Sequence, residues 1–177
     1  PALDCTVKLP QIEHNQHEIS TPDVIYQIVK DTPIELPALL AMWLSLTESE
    51  ILGLTKSKSI SSDGCYITIK EVIVKDEHNN AVVKNKGKQP TRDRTLRLPE
   101  YLKQLIDKVE TDQLVTLSGT ALSKRFNRLI TKAGIPHMTF HDLRHVNASV
   151  MAVLRIPDKY AQERGGWKTD HIMKSTY

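Results

Sequence analysis

The stretch His141-Asp142-Leu143-Arg144-His145 packs three nitrogen-bearing side chains into five residues. On a helix, His141, Arg144 and His145 fall at i, i+3 and i+4 and share one face. Thr139 followed by Asp142 resembles a capping box with Asp in the third place, so a helix opens here and runs to about Leu154. An arginine and two histidines cannot all be core filler, because a buried guanidinium requires an anionic partner. Two readings compete with a role in binding or catalysis. One pairs Arg144 with a core carboxylate such as Glu50. The other compares His141 and His145 with the histidines of an H-E-x-x-H zinc site, although Asp142 replaces its Glu and Arg144 would repel a cation.

Downstream, Gly165-Gly166 ends a short helix begun at Pro157, and Trp167 follows at once. An indole there is either core filler or a neutral N–H donor for a phosphate oxygen. Thr169 caps a last helix that runs into Tyr177. Upstream, Leu122, Phe126, Leu129 and Ile130 define a helix stopped by Gly134 and Pro136. Tyr66–Val74 alternates and is β-branched, His78-Asn79-Asn80 is a turn, and Ala81–Lys84 returns as a second strand. Arg94–Leu98 is a third strand, and Pro99 opens a helix to about Glu110. Ser20-Thr21-Pro22-Asp23 starts the first helix. Pro33 and Pro37 break the chain before an apolar helix, Ala38 to Leu46, and a further turn follows from Glu48 to Leu54. This order predicts a mainly helical α+β domain with a small three-stranded antiparallel sheet.

The chain has 177 residues, 40% hydrophobic and 25% charged, the composition of one globular domain. No apolar run approaches the ~20 residues of a membrane span, and residues 1–20 lack a signal-peptide layout. Cys5 and Cys65 offer neither a disulfide framework nor a zinc clip, which predicts a reducing, cytoplasmic setting. The formal charge is +3, but residues 1–50 hold only Lys8 and Lys30 against eight acidic side chains. That leaves 22 of the 24 basic and 13 of the 21 acidic side chains to residues 51–177. The densest cluster is Lys84, Lys86, Lys88, Arg92, Arg94 and Arg97, opposed only by Asp93. Local cations bind phosphates by releasing counterions, so this cluster is either a DNA-facing surface or a solvated strand face.

Together these residues resemble the catalytic domain of the tyrosine recombinases, specifically the integrases of bacteriophages and integrative elements of Gram-positive bacteria. Ser49-Glu50-Ile51-Leu52-Gly53-Leu54 is similar to the family's R-x-S-E-[IL]-L-x-L segment. Lys88–Leu98 is similar to its lysine-bearing hairpin, His141–His145 matches H-x-L-R-H, Gly166-Trp167 stands at G-[HW], and Tyr177 stands at the nucleophile. The resemblance implies that Tyr177 attacks a DNA phosphodiester to give a 3′-phosphotyrosyl link and a free 5′-hydroxyl. It implies that Arg144 clamps the phosphate, that His141 helps take the Tyr177 proton, and that Trp167 donates its indole N–H. Lys88 would protonate the leaving 5′-oxygen, with Lys86 the alternative, while Glu50 and His145 support the site. Lys84, Lys86, Arg92 and Arg94 would contact DNA. No cofactor and no metal is implied.

In one place the resemblance fails: the family's first arginine should lie three residues before Glu50, and that residue is Thr47. No Lys or Arg occurs between Lys30 and Lys56. A missing electrostatic donor typically costs ~10²–10³ in rate, so an impaired or purely DNA-binding homologue is the alternative expectation. The remaining expectations concern organisation: an extended linker arm over residues 1–19, a catalytic domain over 20–177, and a piece cut from a longer protein with its N-terminal DNA-clamp domain and C-terminal tail absent. The partner would be double-stranded DNA, the full-length protein a tetramer on it, this fragment a monomer, and the location cytoplasmic and nucleoid-associated in a bacterium, away from membranes.

Overall fold

The computed structural model describes residues 20–85 and 94–167. Its organising element is α2 (Glu35–Leu44), in which every residue but Trp43 is buried. A helix apolar all round belongs inside other helices. It packs against α1 (Pro22–Val29), α3 (Glu48–Leu52), α5 (Glu100–Asp107) and α7 (Asp142–Val153). Leu39, Leu40, Leu44, Ile51, Leu102, Phe126 and Leu143 lie in one continuous core. The buried Glu35 is satisfied locally, accepting from the Tyr101 hydroxyl at 2.6 Å and from the Asp31 backbone N–H at 2.8 Å.

Two boundaries differ from the sequence reading. Pro37 lies inside α2, at its third residue, where a missing N–H breaks no helical hydrogen bond. The helix stops at Leu44 because Ser45 adopts the left-handed conformation, φ 58° and ψ 32°. A short helix, α4 (Lys56–Ser59), also follows α3 and is absent from the sequence reading.

The expected three-stranded sheet is divided in two. Strand β1 (Tyr66–Ile69) pairs antiparallel with β4 (Arg94–Arg97), setting Ile69 opposite Arg94. Strand β2 (Glu71–Lys75) pairs antiparallel with β3 (Ala81–Asn85), setting Val72 opposite Lys84. The stretch read as one strand thus changes partner at Lys70. Ile67 and Ile69 keep a strict inward alternation, whereas Glu71 to Val74 are half-buried on both faces, so the alternation that defines one face ends there. Gly53 admits β2 against the end of α3, since a Cβ there would run into the Glu71 carbonyl and the Val72 Cα.

The C-terminal half is helical as expected. Helix α6 (Gly119–Ala133) is capped by the Ser118 hydroxyl and closed by Gly134, and α7 and α8 (Asp158–Gly165) follow. The linker arm expected over residues 1–19 and the last helix expected from Thr169 lie outside the described residues. None of the described helices is long and apolar enough to cross a membrane.

Candidate active site

The Asp142 carboxylate accepts from both the backbone N–H and the hydroxyl of Thr139, at 2.7 and 2.9 Å. This closes the turn before α7 and leaves His141, the residue flanking the helix, with no side-chain capping bond. The rings of His141 and His145 stand 5.0 Å apart at 75°. Partial burial first, then the Arg144 charge, holds His141 below its ordinary value, against opposing pulls from Asp142 and Glu48. Burial, followed by His141, lowers His145 in the same way. Both imidazoles are therefore neutral at neutral pH, and a neutral ring nitrogen can accept a proton.

Arg144 points the other way, into the protein, and is 6% exposed. Its Nη1 donates to the Ser45 carbonyl at 2.5 Å, and its guanidinium carbon lies 4.6 Å from the centroid of the Trp167 ring. Trp167 is brought there by the end of α8. Gly166 adopts φ 65°, and the Trp167 backbone N–H returns to the Gln162 carbonyl at 3.1 Å. The end of α8 thus sets Trp167 against Arg144 of α7, beside the left-handed turn that ends α2.

The neighbouring arginine has a different position from the one expected. Arg94 was expected on a DNA-facing surface, but its two terminal nitrogens donate to the two Glu50 oxygens, each at 2.9 Å. Both side chains are nearly buried, 10% and 5% exposed. A carboxylate this deep requires a cation, and the first residue of β4 supplies it. Glu50 therefore holds Arg94, and its Oε2 also accepts from the Thr47 backbone N–H at 2.8 Å.

That last bond explains Thr47 in structural terms. Its hydroxyl accepts from the Glu50 N–H, completing a reciprocal capping box at the start of α3. The half-buried threonine at the arginine position is thus a helix cap. Lys84 is exposed on β3, whereas Lys86, Lys88, Arg92 and Tyr177 lie outside the described residues. Among the described residues no group of three or more His, Cys, Asp or Glu could hold a metal ion.

Two features escaped the sequence reading. Asn147 and Arg164 reach the last carbonyls of α2, an interaction no local pattern announces. The other had a legible signal. Lys124, Arg128 and Lys132 repeat at i, i+4 and i+8 along α6, with Arg125 beside them and no acidic residue in the helix. All four are exposed, and none pairs with a carboxylate among the described residues. Like charges at i, i+4 destabilise a helix by a few tenths of a kcal/mol, so the row is unfavourable in the free protein.

The phage integrase family model matches residues 48–177. Among solved structures, the Tn1549 transposon integrase in complex with transposon right end DNA superposes with TM-score 0.74 at 17% identity, covering 89% of this chain and 60% of that one. XerA recombinase gives TM-score 0.68 at 14% identity over 96% and 61% of the two chains. A lambda integrase dimer bound to a COC′ core site gives 0.61 at 19% identity over 88% and 46%. The chain thus spans about 60% of the length of the Tn1549 integrase chain that it resembles. No curated protein sequence matches.

Proposed function

From the premise that the chain belongs to the phage integrase family, we propose that it is the strand-cleaving domain of a site-specific DNA recombinase. It would act in the integration or excision of a mobile element. Its substrate is double-stranded DNA, and its product a 3′-phosphotyrosyl link that conserves the energy of the broken bond. The observation that carries this reading is the placement of Arg144 against Trp167, with the guanidinium 4.6 Å from the indole ring. Of the matched structures, those of the Tn1549 and lambda integrases are complexes with DNA.

In the proposed reaction the Tyr177 oxygen attacks phosphorus and the 5′-oxygen leaves. An unaided tyrosine hydroxyl, with a pKa of ~10, is a poor nucleophile. His141, neutral because of its surroundings, accepts its proton. The Arg144 guanidinium and the Trp167 indole N–H bind the non-bridging oxygens as their charge grows. Lys88 protonates the leaving oxygen. Lys84, Lys86, Lys88 and Arg92 line the DNA on one side, and the α6 row extends the basic surface. The recombining assembly is a tetramer on DNA. In the domain organisation that goes with this reading, residues 20–177 are the catalytic unit and 1–19 a connecting arm.

A specific observation favours a second reading, in which the chain binds DNA but cleaves it poorly: Thr47 serves as a helix cap and brings no charge to the phosphate. A nicked duplex that traps the covalent product separates the two. An adduct lost on Tyr177→Phe identifies a cleaving enzyme. An adduct that appears only after Thr47→Arg assigns the deficiency to that residue. Tight DNA binding with no adduct from either protein sinks the cleavage reading.

A further inference from the structure

A helix leaves its last carbonyls without intrahelical partners and carries partial negative charge at that end. In α2 these groups are met from three other elements. The Asn147 amide of α7 donates to the Met42 carbonyl at 2.8 Å and to the Trp43 carbonyl at 3.2 Å. Arg164 of α8 donates to the Trp43 carbonyl at 2.8 Å. The Ser45 carbonyl, turned inward by the left-handed backbone, takes Arg144 at 2.5 Å and Arg94 at 3.4 Å. Asn147 lies one helical turn beyond Arg144, so the two reach the end of α2 side by side.

This arrangement is not the one that serves stability best. Ser45 occupies a backbone region that favours glycine, and its buried hydroxyl has no partner among the described residues. The Asn147 amide oxygen is likewise buried without one. Burial also holds Arg164 below its ordinary value. Such costs persist where surrounding contacts fix a conformation that is needed for another purpose. What these contacts fix is the direction of the Ser45 carbonyl, against which the Arg144 guanidinium rests.

We propose that Asn147 and Arg164 are positioning residues of the active site: by holding the Met42 and Trp43 carbonyls they set the turn at Ser45, and through it the placement of Arg144 against Trp167. The proposal assigns Arg144 its catalytic purpose through the recombinase reading, but its geometry can be tested without any cleavage.

The test is nuclear magnetic resonance of the chain labelled with nitrogen-15 arginine, following the Arg144 guanidinium protons and their ring-current shift from Trp167. In the Asn147→Leu/Arg164→Met double variant the ring-current shift collapses, and exchange with water speeds up about tenfold or more, the factor implied by losing one charge-assisted hydrogen bond. Arg164→Lys, which keeps a donor, restores part of the protection. A core control, Leu122→Ala, lowers the melting temperature and leaves the Arg144 signals in place, separating positioning from general loosening. If the double variant does not fold, the half-exposed Arg164→Met alone is measured, with the same two outcomes. Unchanged Arg144 shift and exchange in the folded variant overturn the proposal. Absence of a covalent DNA adduct would bear on the proposed function and leave this result standing.

Discussion

Ser45, Thr47 and Glu50 lie within six residues, and each has a structural role that bears on the site. Ser45 ends α2 in the left-handed region with φ 58°. For a non-glycine residue that conformation costs ~1–2 kcal/mol. Ser45→Gly removes both the strain and an unpartnered buried hydroxyl, and is expected to raise the melting temperature by roughly 2–4 °C, measured calorimetrically. Glu50→Gln acts in the opposite direction. It leaves the Arg94 guanidinium, 10% exposed, without its carboxylate, a loss of ~3–5 kcal/mol in chemical denaturation. Thr47→Arg forfeits a cap worth ~1 kcal/mol, so any gain in chemistry at that position comes with a lower melting temperature. At this scale the sequence was informative about residue type and weak on partners. The H-x-L-R-H motif marked His141 and Arg144. No local pattern placed Arg94 on Glu50, because that pairing joins residues 44 apart in sequence.

Among the elements, α2 and α6 differ in how much of them could be read. The apolar run of α2 was evident, but its start was not, because a proline in the first turn of a helix resembles a breaker in sequence. Its end depends on a serine in a glycine-like conformation, which no propensity favours. The strand break at Lys70 was hidden for a related reason: the β-branched run continues across it while the hydrogen-bonding partner changes. Helix α6 was legible in its apolar stripe, Leu122, Phe126 and Ile130, and its opposite face carries the row Lys124, Arg128 and Lys132, which pairs with no carboxylate among the described residues. Arg128 sits between two cations, so Arg128→Gln should stabilise the free protein slightly, by ~0.2–0.5 kcal/mol per repulsive pair removed. If this face meets DNA phosphates, the same change weakens binding and reduces the slope of log affinity against log salt by about 1. Salt titrations of both proteins on one duplex check this. A stability gain with an unchanged salt slope would remove α6 from the DNA surface.

For the molecule as a whole, the formal charge of +3 is a sum of groups with different fates. Glu35 and Glu50, part of the acidic first fifty residues, are buried and satisfied within the protein. Arg144 is buried too, against the end of α2. The α6 cations remain on the surface. Fold class was readable because period and composition are local. The site was readable only where a motif preserved its spacing, and the shell behind it formed when α2, α3, β4, α7 and α8 came together. The measurement that tests the central claim most directly is covalent capture on a nicked duplex bearing the element's own crossover site, run with the parent chain, Thr47→Arg and Thr47→Arg/Tyr177→Phe. The expected result is an adduct that forms at least ~10²-fold faster with Thr47→Arg than with the parent, and that is abolished by the tyrosine change. An adduct that survives Tyr177→Phe, or none from Thr47→Arg on DNA that it demonstrably binds, would contradict the account.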